Sequence, residues 1–154
     1  MNLLNSSLQE GSQYVTFFIG EEEYGIKIQS VQEICPLKEL THLPNTPEHI
    51  KGILNLRGNV IPVIDLRKVF HLPSIPATRS SVIIILKNKE KINGLLVDQI
   101  SDVMTIDSKQ VEDTPDMALT INSSFIDGIA KLNDRFIIVL DMTKVFSNME
   151  HQHE

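Results

Sequence analysis

A chain of 154 residues with 42% apolar content can bury one sizeable core or two small ones, and its composition lies outside the disordered range. Lys and Arg number 14 against 20 Asp and Glu, a formal net charge of −6 that argues against nucleic acid and anionic membrane surfaces as partners. The apolar runs stop far short of the roughly 20 residues that span a bilayer, the start Met1 to Asn5 lacks a basic then apolar leader, and the single Cys35 excludes an internal disulfide, so a cytoplasmic location is expected.

Taken in chain order, the elements are short strands separated by turn signals. Tyr14 to Ile19 and Tyr24 to Ile28 flank the acidic stretch Gly20-Glu21-Glu22-Glu23, which predicts a hairpin. Three consecutive carboxylates at such a tip read as a solvated turn rather than a metal cluster. Glu48, just after Pro47, is expected to open a short helix. Val60 to Ile64 predicts a strand, and Pro62 within it cannot donate a ladder hydrogen bond, which points to an edge or a bulge near that residue. Asp65 to Phe70 begins with an N-cap residue and carries apolar side chains at helical spacing, predicting one short helical turn. Leu72-Pro73-Ser74-Ile75-Pro76-Ala77 reads as a linker.

Beyond it, Val82 to Leu86, the polar turn Lys87 to Lys91, and Ile92 to Val97 predict a second hairpin. Phe136 to Leu140 supplies another fully apolar run, and Asp141 to Phe146 a second helical turn. Continuous apolar runs of this length fit strands buried on both faces, as in a small closed barrel.

Two blocks recur in the same order. Gly25 to Ile34 aligns with Gly94 to Val103, 69 residues later, and Ile50 to Phe70 aligns with Ile126 to Phe146 at an offset of 76, with about half of the positions identical. The expected architecture is therefore all-β: two small barrels related by a pseudo-twofold, assigned to residues 14–74 and 80–147, with a groove between them and flexible tails at 1–13 and 148–154.

No catalytic constellation stands out. Cys35 reads as a small buried core thiol; His42, His49 and His71 are scattered without metal-ligand spacing, and His151-Gln152-His153 lies in a polar tail. Gly52 and Gly58 do not make a phosphate-cradling loop, because the Gly-Lys-Ser/Thr end is missing. Neither a cofactor, a metal nor an enzymatic activity is expected. The distinctive difference between the halves is Asn55-Leu56-Arg57-Gly58-Asn59 against Lys131-Leu132-Asn133-Asp134-Arg135. Arg57 beside a flexible glycine can present a guanidinium to a partner, or it can pair internally with a carboxylate such as Asp65; spacing alone weighs the two equally.

The stretch Ile50-Lys51-Gly52-Ile53-Leu54-Asn55-Leu56-Arg57-Gly58-Asn59-Val60-Ile61-Pro62-Val63-Ile64-Asp65-Leu66-Arg67 resembles the signature of the CheW domain family. Tyr24-Gly25-Ile26, Val31-Gln32-Glu33-Ile34 and Val97 to Val103 extend the resemblance to roughly residues 14–147. It implies two five-stranded, SH3-like barrels and a non-enzymatic scaffold that bridges the cytoplasmic tip of chemoreceptors and the regulatory domain of the histidine kinase CheA, without entering the membrane. Carried over position by position, the receptor-facing residues fall on Val31, Glu33, Arg57, Val82 and Val103, with Asn55 and Gly58 in the turn that presents Arg57. The alternative for each valine is ordinary barrel core. The kinase-facing residues are not assigned, and a CheW-like domain of another motility array, or a piece of the kinase or of the scaffold-plus-receiver protein CheV, remains open.

Overall fold

The computed structural model describes residues 11–112 and 123–152. The strands are β1 (Ser12–Ile19), β2 (Glu22–Lys27), β3 (Val31–Pro36), β4 (Ile50–Leu56), β5 (Asn59–Asp65), β6 (Val82–Asn88), β7 (Lys91–Val97), β8 (Gln99–Ile106), β9 (Val111–Glu112), β10 (Ile126–Leu132) and β11 (Arg135–Leu140). Two helices join them, α1 (Leu66–Val69) and α2 (Met142–Gln152). The chain is all-β in plan, arranged as a six-stranded sheet ordered β8-β1-β2-β11-β10-β9 and a five-stranded sheet ordered β3-β6-β7-β5-β4. The sixth strand of the larger sheet, β9, is two residues long.

The duplication is visible in the registers. Parallel pairing of β5 with β7 places Val63 opposite Gly94, and that of β11 with β2 places Val139 opposite Gly25. These are the same two positions, displaced by 76 and 69 residues. The ladder also slips at equivalent places: opposite β1 the extra residue of β8 is Ser101, and opposite β6 the extra residue of β3 is Gln32. The β4–β5 and β10–β11 hairpins slip together next to Gly52 and Gly128. A side chain is excluded at both glycines: a Cβ on Gly52 would lie 2.9 Å from the Thr41 carbonyl oxygen, and one on Gly128 would lie 2.9 Å from that of Glu112, against Val111.

The repeats nevertheless do not coincide with the sheets, which corrects the division at 14–74 and 80–147. The first hairpin of each repeat joins the sheet completed by the other repeat, so β1 and β2 sit among β8 to β11, while β6 and β7 sit among β3 to β5. Side-chain alternation explains the exchange. Along β6, Ile83 and Ile85 enter a core with Cys35, Leu54, Leu56, Ile61 and Val63, while Ile84 and Leu86 face a larger core shared by both sheets. Along β11, Ile137 and Val139 face a third core with Tyr14, Ile106 and Ala130, and Ile138 and Leu140 face the shared one. Each of these two strands is thus apolar on both faces, because one face fills its sheet's own core and the other fills the layer between sheets.

Several local expectations need correction. β5 is an interior strand rather than an edge, while the bulge expected near Pro62 is present, at Lys51 of β4 opposite the neighbouring Val63 and Ile64. Both backbone hydrogen bonds of Ile53, the residue opposite Pro62, go outward to Thr41, and the β7 ladder begins only at Val63, so the N–H that Pro62 lacks had no ladder partner to lose. Residues 47–49 form a hydrogen-bonded turn, Ile50 N–H to the Pro47 carbonyl at 3.0 Å, and not a helix. The second helical turn extends to eleven residues in α2, which buries Met142, Val145, Phe146 and Met149 in the shared core, so 148–152 is helical rather than a loose tail; Ser12 and Gln13 likewise pair in β1. Asp65 accepts from the Arg67 N–H at 3.0 Å as the N-cap of α1. Residues 1–10, 113–122 and 153–154 lie outside the described residues, as do the side chains of the His151 tail.

Candidate functional surface

The β4–β5 connection is a two-residue turn. Leu56 pairs with Asn59, and the residues between them, Arg57 and Gly58, have φ 51° and 86°, the pair of positive values that a type I′ turn requires. Asn55 Oδ1 accepts from the Gly58 N–H at 3.1 Å and closes the turn. The guanidinium of Arg57 pairs with Glu33 on β3 and not with Asp65, which is occupied by its capping role. Two of the expected site residues, 24 positions apart in sequence, therefore meet. The Arg57 side chain keeps 67% of its surface open to solvent, so the pair leaves most of its donors available.

The valines fall on a different face. Val31 stands opposite Leu86, Val82 opposite Pro36, and Val103 opposite Val15. Leu86 and Val15 belong to the shared core, and Val31 and Val82 pack against it half-buried. Val31 and Val82 mark the two ends of the β3–β6 ladder, about 13 Å apart along the strand. Val103 is on β8, an edge strand of the other sheet, and is 50% exposed. Its counterpart in the first repeat, Ile34 on the edge strand β3, is 40% exposed. Apolar side chains at the rim of the layer between sheets, carried by edge strands of both, form a surface that can receive an apolar ridge. Glu33 stands opposite Ile85, which faces the separate core of its own sheet, so the ion pair and the valines lie on opposite faces of β3.

Two further ion pairs, each held by two hydrogen bonds, escaped sequence analysis. Arg67 holds Asp98 with two hydrogen bonds, Nη2 to Oδ2 at 2.6 Å and Nε to Oδ1 at 3.2 Å, and Asp98 also accepts from the Gly20 N–H at 2.7 Å. Burial alone would raise the pKa of Asp98, but these donors outweigh it and hold the carboxyl below its ordinary range. Asp98 lies between β7 and β8, where the chain crosses from one sheet to the other.

The second pair corrects the reading of the acidic tip. Glu21 and Glu22 are exposed, but Glu23 is buried and receives Arg135 Nη2 at 2.6 Å and Nε at 3.2 Å. Burial pushes the Glu23 pKa up, yet the Arg135 guanidinium, with the Ser101 hydroxyl beside it, outweighs burial and leaves it lowered. The sequence signal was present: Arg135 and Glu23 stand where the other repeat has Asn59 and Ile92. Cys35 is buried, as expected, and burial pushes its thiol pKa up. Three clefts among the described residues, of about 250, 550 and 180 Å³, are lined by other residues than the expected site. Among the described residues no helix is long and apolar enough to cross a membrane.

Comparison with known proteins bears on this surface. Residues 13–150 match the CheW-like domain family. The chain is 36% identical over 140 residues to the chemotaxis protein CheW of Klebsiella aerogenes, a match that covers 91% of this chain and 84% of that one. It is 30% identical over 146 residues to the chemotaxis protein CheV3 of Helicobacter pylori, where it covers 93% of this chain and 45% of the other. The crystal structure of the scaffolding protein TtCheW from Thermoanaerobacter tengcongensis superposes with a TM-score of 0.80 at 39% identity, covering 88% of each chain.

Proposed function

Since the chain belongs to the CheW-like domain family, we propose that it is a non-enzymatic adaptor that couples chemoreceptors to the histidine kinase CheA in chemotaxis signalling. It acts by binding: the receptor's cytoplasmic tip on one surface and the kinase regulatory domain on another, in the cytoplasm beneath the receptor array. The observation that carries this reading is the match over nearly the whole length to CheW relatives, joined to an exposed apolar rim on the edge strands of both sheets.

Receptor contact is assigned to Val31, Val82 and Val103, which offer apolar area at the rim of the shared layer, and to Glu33 and Arg57, whose charges set register and orientation. Micromolar affinity is expected, as for signalling interfaces of limited area. Calorimetric titration of the purified chain against the cognate receptor tip and against the kinase regulatory domain tests the proposal. Saturable binding to both, with both held in one ternary complex by size-exclusion chromatography, is the expected result. Absence of heat with either partner, or association with either that disappears at physiological salt, would overturn it.

A further inference from the structure

The two repeats build their edge strands differently, and the difference converges on one side chain. β8 and β3 each run along a single neighbour, and each carries an extra residue, Ser101 or Gln32, that breaks the ladder two positions before the exposed Val103 or Ile34. An edge strand interrupted by a bulge has few backbone bonds to hold it locally. In the five-stranded sheet the residues beneath the bulge are apolar: Ile85 is fully buried and Ile92 packs against the same core. In the six-stranded sheet the equivalent positions are Thr16 and Glu23, both buried.

Polar contacts there replace the missing ladder. Glu23 is fixed from one side by the two hydrogen bonds of Arg135, at 2.6 and 3.2 Å, and lines one cleft with Ser101 of the bulge, whose hydroxyl favours the ionised carboxylate. Thr16 Oγ1 donates to the carbonyl of Asp102 at 3.4 Å, and Asp102 Oδ1 accepts from the N–H of Val103 at 2.8 Å. Arg135, Glu23, Ser101 and Asp102 thus line one cleft that ends at the backbone of Val103.

We propose that Glu23 is a positioning residue for receptor binding: clamped by Arg135, its carboxylate holds the Ser101 bulge of β8 and so aims Val103 outward from the edge of the six-stranded sheet. This rests on the assignment of Val103 to the receptor surface. The alternative role, a purely structural plug at the mouth of the inner core, makes a different prediction, because it would affect every partner through stability alone.

The other repeat supplies the variants. Ser101→Ala removes the link between Glu23 and the bulge and leaves the buried ion pair whole. Glu23→Ile with Arg135→Asn imports the residues of the equivalent positions, Ile92 and Asn59, and replacing a buried pair by apolar packing is often neutral for stability. Titration against the receptor tip and the kinase regulatory domain, with methyl and amide NMR of Val103 in the free protein, reads the outcome. Both variants are expected to weaken receptor-tip binding about two- to tenfold, the scale of ordering one or two side chains on association, to move or broaden the Val103 resonances, and to leave kinase affinity unchanged. Unchanged receptor affinity in both variants, while Val103→Ser abolishes it, would overturn the positioning role alone. Equal losses for both partners would overturn it in favour of the structural plug. Receptor binding unaffected by Val103→Ser would take down the receptor assignment and this inference with it.

Discussion

Replacement of Arg57 by Asn separates a contact made to a partner from one made within the fold. The second repeat carries Asn133 at the same turn position, with φ 57° against 51° for Arg57, and Asn enters the left-handed region more readily than Arg. The backbone therefore tolerates the change. What is lost internally is the ion pair with Glu33, whose members expose 67% and 31% of their side chains. Exposed pairs of this kind contribute about 0.2–1 kcal/mol before screening by salt, and with this exposure the low end applies. The net change in stability should stay within about 0.5 kcal/mol, a shift of about 2 °C in melting temperature for a chain of this size. A charge-assisted hydrogen bond lost at an interface costs about 1.5–3 kcal/mol, which is about ten- to more than a hundredfold in affinity. Thermal melts followed by circular dichroism, and titration against the receptor tip at two salt concentrations, measure the two effects on one sample. The expected result is a melt near that of the unmodified chain, weakened receptor binding and intact kinase binding. Receptor affinity equal to that of the unmodified chain would make Arg57 a spectator; a fall of many degrees in the melt would show that the Glu33 pair is principally a structural contact.

Tyr24→Phe should raise stability by about 1 kcal/mol, since the Tyr24 hydroxyl is buried with no hydrogen-bond partner among the described residues while its ring lies between Phe17 and Phe70, and a urea midpoint at or below that of the unmodified chain would contradict this. Asp98→Ala should cost about 2 kcal/mol by leaving Arg67 and the Gly20 N–H without their acceptor, read as a lower urea midpoint at constant slope. Because Asp98 and Glu23 have pKa values lowered by folding, the unfolded chain binds their protons first as pH falls; their stabilisation is complete above the ordinary carboxylate range near pH 4 and is lost below it, so the stability advantage over Asp98→Ala should shrink between about pH 5 and pH 2. Gly128→Ala should destabilise by about 1–3 kcal/mol, since its Cβ would press on Val111 and the Glu112 carbonyl, and a neutral effect in chemical denaturation would show that β9 yields freely.

Much of this protein was legible in its residues. Apolar runs such as Val82 to Leu86 announced strands buried on both faces, the acidic N-caps Asp65 and Asp141 announced the helices, and the recurrence at offsets of 69 and 76 predicted equivalent registers that the ladders display at Val63 with Gly94 and at Val139 with Gly25. The turn at Arg57 and Gly58 was also readable, because a glycine beside a charged residue between two strands leaves few other conformations. These features depend on side-chain period, backbone sterics and capping, which are local in sequence. Which sheet each hairpin joins is a different kind of question. The pattern of β1 and β2 satisfies pairing within its own repeat as well as with the other, and only burial of both faces at once, in a core shared between sheets, selects the exchange. The same holds for charge partners. Arg57 meets Glu33 rather than Asp65, and Glu23, one of three consecutive glutamates, leaves its neighbours to meet Arg135 at 112 positions' distance. Ion pairs join residues that the chain brings together from afar, so their identity is decided by the assembled sheets, while the residues themselves determine only that such partners exist.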